Sequence, residues 1–333
     1  MTRFSPLRRQ LQLSILSLAT MGSMALSAAA HADTWPTRPI QLVVPFPAGS
    51  SPDTLARAIA EPLAKDLGQP IVVENKAGAG GNIGTRYASR AKPDGYTLLL
   101  TINGPIVTAP ALYKKTLGYD PMTDLDPISL VGTSPNVLVV PQNSPAKNVQ
   151  DFVKLAKDQP GVLNYGSVGP GSSSHLAMAM LEDQAGIKLQ QIPYTGFPQI
   201  ITSIIAGDIQ AGFMVPGVAM PQVNANKVRV LGITSLQASD VLPGMPTMAS
   251  QGYPGFESIS WDAIFVPAGT PADIAERLNK AITSILALPE IKQKMAALYF
   301  TPAPSSPAEL TAMIKAERVK LEAIINRLNL SLD

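Results

Sequence analysis

Two spacings alternate along the chain. Short, nearly unbroken apolar runs are followed by Gly/Ser-rich loops, and then by stretches with an apolar residue every three or four positions. Ile40–Phe46 is the first such run, as expected for a strand buried on both faces. Leu55, Ile59, Leu63 and Leu67 then mark a helix, with Ser51 predicted as its N-cap and Pro52 at the first helical position. Pro62 lies inside that helix and is expected to kink or break it. The same alternation predicts strands at 71–73, 96–101, 127–131, 137–140, 163–168, 190–193, 209–215 and 228–234. Helices are predicted to open at Gly78–Gly84 and to cover 151–157, 175–184 and 198–206.

Near the end, Thr270-Pro271-Ala272-Asp273 and Ser306-Pro307-Ala308-Glu309 each read as a cap, a proline and an acid three residues on. The second opens a long helix with Leu310, Ile314, Leu321, Ile324 and Leu328 on one face. Ser258–Val266 reads as a segment crossing back to the first half. Strands alternating with helices predict an α/β fold with mostly parallel sheets, and 333 residues suggest two domains.

The first thirty-two residues break the pattern. Arg3, Arg8 and Arg9 precede an apolar run from Leu11 to Leu26, and Ala28-Ala29-Ala30-His31-Ala32 follows. This is the layout of a secretory signal peptide cleaved after Ala32, so the mature chain is expected in a periplasm. Residues 1–32 carry three arginines and no acid, so cleavage takes the formal charge from +2 to −1. It also leaves His175 as the single histidine. The chain has no cysteine, which excludes a disulfide framework, a thiol nucleophile and a thiolate metal site. A balance of 26 basic and 24 acidic residues lacks the basic excess of a nucleic-acid partner.

Three loops share one design: Ala48–Asp53, Gly78–Gly84 and Ser167–Ser174 each leave a strand and enter a helix. A helix start carries unpaired N–H groups and partial positive charge, so it accepts carboxylate or phosphate. Small residues let a ligand approach, and Ser50, Ser51, Ser172 and Ser173 add hydroxyls. Gly78-x-Gly80-x-x-x-Gly84 misses the dinucleotide fingerprint, and the acid expected about 20 residues on is absent. Asp53 reads as structural, favouring the helix start. Arg57 and Arg86 read as solvated helix residues. Asp120, Asp124 and Asp126 read as turn and cap residues, so no metal and no cofactor are expected. A serine hydrolase would have to use His175, which follows Ser174 directly, and no G-x-S-x-G occurs. His175 reads better as ordering its loop or lining a cleft. Phe46 and Tyr194 each open a loop, Asn103 follows the third strand, and Gly171 lies in the third loop, so all four join the candidate site.

Motifs along the whole mature chain resemble the Bug-type periplasmic solute-binding proteins of tripartite tricarboxylate transporters. They are Trp35-Pro36-Thr37-Arg38-Pro39-Ile40, Val43-Val44-Pro45-Phe46-Pro47-Ala48-Gly49, Val73-Glu74-Asn75-Lys76-Ala77-Gly78-Ala79-Gly80-Gly81, Pro93-Asp94-Gly95-Tyr96-Thr97-Leu98, Tyr119-Asp120-Pro121, Tyr165-Gly166-Ser167, Gly171-Ser172-Ser173-Ser174-His175-Leu176, Pro193-Tyr194-Thr195-Gly196, Leu242-Pro243-Gly244-Met245-Pro246-Thr247 and Gly252-Tyr253-Pro254-Gly255-Phe256-Glu257. The resemblance implies a two-lobe, type II-like binding protein with a cleft between lobes joined by crossover strands. Residues 33–132 with 258–333 would form one lobe, and 133–257 the other. It implies a small organic acid held by Phe46, Ala48, Gly49 and Ser50 of one lobe against Ser167 and Ser172 of the other. It further implies delivery to a membrane permease by a monomer that is not an enzyme. Ser50 stands where the family usually has Gly, and Thr195 where it has Lys, so the acid itself is left open. A hydrolase using His175 and a sensor partner of a membrane protein are the alternative readings.

Overall fold

The computed structural model describes residues 35–333, so the leader expected over residues 1–32 lies outside the described residues. The strands are β1 (Ile40–Val44), β2 (Ile71–Asn75), β3 (Thr97–Ile102), β4 (Leu125–Pro135), β5 (Val137–Pro141), β6 (Asn164–Ser167), β7 (Gln190–Pro193), β8 (Ala211–Met214), β9 (Val228–Ile233), β10 (Ile259–Pro267) and β11 (Thr301–Pro302). The helices are α1 (Ser51–Leu67), α2 (Asn82–Ser89), α3 (Ala109–Leu112), α4 (Val149–Asp158), α5 (Ser173–Ala185), α6 (Phe197–Ala206), α7 (Pro216–Asn224), α8 (Ala272–Ala287), α9 (Pro289–Ala297) and α10 (Pro307–Arg327).

Two sheets form. One has six strands in the order β11-β4-β10-β3-β1-β2, the other five in the order β7-β6-β8-β5-β9. β1 runs parallel to β2 and β3, and β6 runs parallel to β7 and β8. The expectation of mostly parallel sheets holds only for these strands. β10 is antiparallel to β3 and β4, and β5 is antiparallel to β8 and β9. The reason is connectivity: β5 and β10 follow directly on the two passages between sheets and enter each sheet from the opposite end.

Both passages lie side by side. β4 ends at Pro135, Asn136 intervenes, and β5 begins in the second sheet at Val137. On the return, Thr234 follows β9 and Ser258 precedes β10. Asn136 N–H donates to Thr234 Oγ1 (2.8 Å), whose hydroxyl donates to the Ser258 carbonyl (2.6 Å), and Asn136 Nδ2 donates to that same carbonyl (2.9 Å). Asn136 and Thr234 are buried, so these bonds satisfy groups that water does not reach.

Each sheet has its own apolar packing. Val43, Leu99, Trp261 and Phe265 cluster with Leu310 and Ile314 of α10. Leu138, Tyr165 and Phe213 cluster with Phe152 of α4 and Leu176 of α5. Ile200, Ile201 and Ile204 of α6 pack with Val137 and Val139.

Several local expectations change. α1 runs unbroken through Pro62. Its first-turn N-cap is Ser50, one residue earlier than predicted. Burial of Leu55, Ile59, Leu63 and Leu67 on one face holds the helix across the hydrogen bond that proline deletes. Thr270 does not cap α8; its hydroxyl donates to the Pro267 carbonyl (2.7 Å), and Pro271 takes the N-cap position. Ser306 does form the predicted capping box with Glu309.

Candidate functional site

The first loop is built from beneath by a carboxylate. Pro52 costs α1 no hydrogen bond, because the first helical N–H groups have no partner within the helix. Asp53, 2% exposed, turns its carboxylate back under the loop. It accepts from Gly49 N–H (2.8 Å), Asn75 Nδ2 (2.8 Å) and Arg57 Nε (3.1 Å). Burial pushes the Asp53 pKa up, but the donors of Arg57, Gly49 and Asn75 outweigh it and hold the carboxyl below its usual range. Asn75 Nδ2 also donates to the Phe46 carbonyl (3.0 Å). The reading of Asp53 as structural agrees with this geometry. Arg57 is not merely solvated: it pairs with Asp53 (3.0 Å) and donates to Asn75 Oδ1 (3.1 Å).

The bonds to Asp53 change what the loop can offer. Gly49 N–H is committed to Asp53, and Ser50 N–H donates to the Pro47 carbonyl (3.1 Å). Gly49 sits at φ +78°, a backbone region that glycine enters without strain. Ala48 and Gly49 are exposed, whereas Phe46, Ser50 and Ser51 are half-buried. Ser50 is the N-cap, yet its side chain caps nothing. Its hydroxyl oxygen is buried and has no hydrogen-bond partner.

The loops after the first three strands meet at Phe46. A Cβ at Gly81 would come within 2.8 Å of both the Phe46 ring and Pro105, so the aromatic ring lies on the glycine turn ahead of α2 and on the segment after β3. Asn103 is buried there, with its amide already engaged. Nδ2 donates to Glu317 Oε1 (3.2 Å) and to the Ile259 carbonyl (3.4 Å). Trp261 Nε1 donates to the other Glu317 oxygen (2.6 Å). Burial raises the Glu317 pKa, and these two donors oppose the rise.

In the second sheet the loop between β6 and α5 closes on itself. Ser172 is the N-cap; its Oγ accepts from His175 N–H (3.3 Å) and donates to the Gly169 carbonyl (2.8 Å). Ser174 Oγ accepts from Val168 N–H (3.0 Å) and lies 3.0 Å from Ser172 Oγ. Ser167 is fully buried, accepts from Gln191 Nε2 (2.6 Å), and through its carbonyl holds Tyr194 N–H (2.8 Å). Ser173 and Tyr194 are half-buried. Tyr194 lines a shallow groove with Pro198, Gln199, Thr202 and Ser203.

His175 is buried and stacked on Tyr165 at 6.4 Å. Its Nδ1 accepts from Gly171 N–H (2.9 Å), which assigns the ring proton to Nε2. Burial lowers its pKa and keeps the ring neutral. A general base needs a lone pair facing a serine hydroxyl. Here that lone pair is spent on a backbone N–H, so His175 orders the loop.

The structure therefore gathers Phe46, Ala48, Gly49, Ser50 and Ser51 at one helix start, and Ser167, Gly171, Ser172, Ser173 and His175 at another. Asn103 is committed to Glu317. Sequence reasoning missed three residues that shape the site. Asn75 had a visible clue, a polar residue closing a strand beside a Gly-rich loop. Glu317, and Leu112 on which the Gly171 backbone rests, reach the site region only through long-range packing and left no local mark.

A family model described as the tripartite tricarboxylate transporter family receptor matches residues 55–330. Protein BugT of Bordetella pertussis is 34% identical over 300 residues, covering 90% of this chain and 91% of that protein. Among solved structures, Rpa4515 of R. palustris with adipate superimposes with a TM-score of 0.81 at 31% identity, covering 90% of this chain and all of the other. The periplasmic binding protein BugD gives 0.77 at 33% identity over 90% of this chain and all of its own. MatC of Rhodopseudomonas palustris with bound malate gives 0.76 at 29% identity over 87% of this chain and all of its own.

Proposed function

Because the chain belongs to the tripartite tricarboxylate transporter receptor family, with its two-lobe α/β periplasmic binding-protein fold, we propose that it captures a small organic carboxylate and delivers it to a membrane permease. The acid lies between the start of α1 and the start of α5, held by backbone N–H groups and hydroxyls rather than by an arginine clamp. Ser50 carries this reading. Its buried hydroxyl is a donor with nothing to donate to, at a helix start that favours negative charge. The acids bound by the neighbouring structures, adipate and malate, make dicarboxylates the first class to test.

The lobes divide within β4 near Leu130–Ser134 and ahead of β10 near Phe256–Ser260, and the Asn136–Thr234–Ser258 bonds sit at the pivot. Closure is a hinge motion about these two passages. The receptor is exported, loses residues 1–32, and works as a monomer in the periplasm. The hydrolase alternative has no support in the placement of His175.

A melting-temperature panel tests the reading. Adipate, malate, a tricarboxylate, an aromatic acid and the neutral diamides of the first two are added to residues 33–333. An acid at about 100 times its dissociation constant stabilises the native state by roughly 2.7 kcal/mol. If only neutral compounds raise the melting temperature, the proposal is wrong.

A further inference from the structure

α10 spans the two cores, as does the helical run that places Ile106 and Val107 in the first and Ala111 and Leu112 in the second. Leu310 and Ile314 are buried with Val43 and Phe265 of the six-stranded sheet, whereas Ile324 and Ile325 are buried with Leu138 and Phe213 of the five-stranded sheet. Leu321 packs against both. Arg327 pairs with Asp183 of α5 (3.0 Å). Beyond the helix, Leu330 and Leu332 pack on the second core.

Residues 330–333 then reach α3. Leu332 N–H donates to the Leu112 carbonyl (2.8 Å), one of the last carbonyls of α3, which have no partner within the helix. Asp333 Oδ1 accepts from Lys115 N–H (2.8 Å) and from Thr116 Oγ1 (3.3 Å). α3 is the last turn of a helical run that begins with the π-helical segment Gly104–Thr108, and these bonds tie down its C-terminal end. Leu112 in turn is the wall of the second helix-start loop. A Cβ at Gly171 would lie 2.4 Å from Leu112 Cδ1, so the glycine backbone rests directly on that side chain. Gly171 sits at φ +72° and orients His175 through its N–H. Every side-chain bond that His175, Ser172 and Ser174 make within this loop stays inside residues 168–175. Leu112 is an outside surface against which Gly171 is set, as the Tyr165 ring is for His175.

We propose that residues 328–333 are a positioning segment: by pinning α3, they fix Leu112, and Leu112 fixes the Gly169–Ser174 loop in the conformation that meets the ligand. The inference rests on the reading of that loop as one half of the acid site. The relay runs by direct contact from Asp333 and Leu332 through Leu112 to Gly171.

Hydrogen–deuterium exchange on the ligand-free chain 33–333 tests the relay without a ligand. Three variants are compared with the parent: a truncation lacking 330–333, Asp333→Ala and Leu112→Ala. The peptide covering 168–176 should exchange roughly tenfold faster in the truncation and in Leu112→Ala, and about two- to threefold faster in Asp333→Ala, whose bonds are exposed. The peptide covering 46–54, the matching loop of the other sheet, should exchange as in the parent. Unchanged exchange at 168–176 in Leu112→Ala and Asp333→Ala overturns the proposal, as does equal acceleration of both peptides. If the truncation does not fold, the two point variants decide. Binding of adipate and malate to the parent is measured separately. Failure of every acid to bind would sink the receptor reading and leave the exchange result standing.

Discussion

Ser50 and Asp53 stand three residues apart at one helix start, and the structure gives them opposite roles. Asp53 is saturated with donors from Gly49, Asn75 and Arg57, so it shapes the loop and offers an incoming anion nothing. Ser50 has lost its usual capping partner and keeps a buried, unused hydroxyl. Ser50→Ala should therefore leave stability within about 0.5 kcal/mol of the parent, since no hydrogen bond in the protein is broken. The same change should weaken binding of whichever acid raises the melting temperature by roughly two- to tenfold in calorimetry. Unaltered affinity would remove Ser50 from the site. Asp262 allows a second prediction at this scale. It is 1% exposed on β10, its Oδ1 has no partner, and burial pushes its pKa up to about 8 from an ordinary value of 3.8. A carboxyl raised on folding binds more protons in the native than in the unfolded chain between those two values. Its contribution to stability is thus full in acid and is lost as pH rises towards 8. Asp262→Asn should abolish that share of the slope, so the parent-minus-variant difference in melting temperature should fall between pH 4 and pH 8. A flat difference would show that Asp262 ionises normally.

At the scale of elements, what could be read in advance depended on whether the cause lay in neighbouring residues. The strands at Ile40–Val44 and Val137–Pro141 were visible because burial on both faces demands a nearly unbroken apolar run. The Ser306 capping box was visible because all its parts lie within four residues. α3, α7 and α9 were not. α7 and α9 open with proline, α3 continues a π-helical segment that carries Pro105, and α7 carries Pro221 inside, so their helicity comes from the packing around them. Asn103 shows the same limit in the site: its partner Glu317 is 214 residues away, and nothing near either residue announces the pair. The three serine N-caps turn this contrast into a measurement. Ser172 and Ser306 accept from backbone N–H groups of the helices they open, and Ser50 does not. Ser306→Ala should cost about 1 kcal/mol in chemical denaturation, whereas Ser50→Ala should cost almost none. Equal losses would mean that Ser50 caps α1 after all.

For the molecule as a whole, charge decides how an anion arrives. Residues 33–333 carry a formal −1, because the three arginines of the first thirty-two residues are not matched by any acid there. If the ligand is the proposed carboxylate, a chain with no net positive field gains little from long-range steering. On the proposed reading its donors at the starts of α1 and α5 act only at hydrogen-bond range. The rate of association should then respond weakly to salt: a roughly tenfold rise in ionic strength should slow stopped-flow association by less than about threefold. Affinity, by contrast, should track the hydroxyls and backbone donors through the dissociation rate, so Ser50→Ala should release ligand faster while arriving at the parent's speed. A steep fall of the association rate with salt would point instead to a local basic funnel. Arg57, half-exposed beside the first loop, is the cation placed to form it, and Arg57→Gln should then flatten the salt dependence. With its guanidinium already paired to Asp53, the expected result for Arg57→Gln is a loss of stability and loop order with no change in that slope.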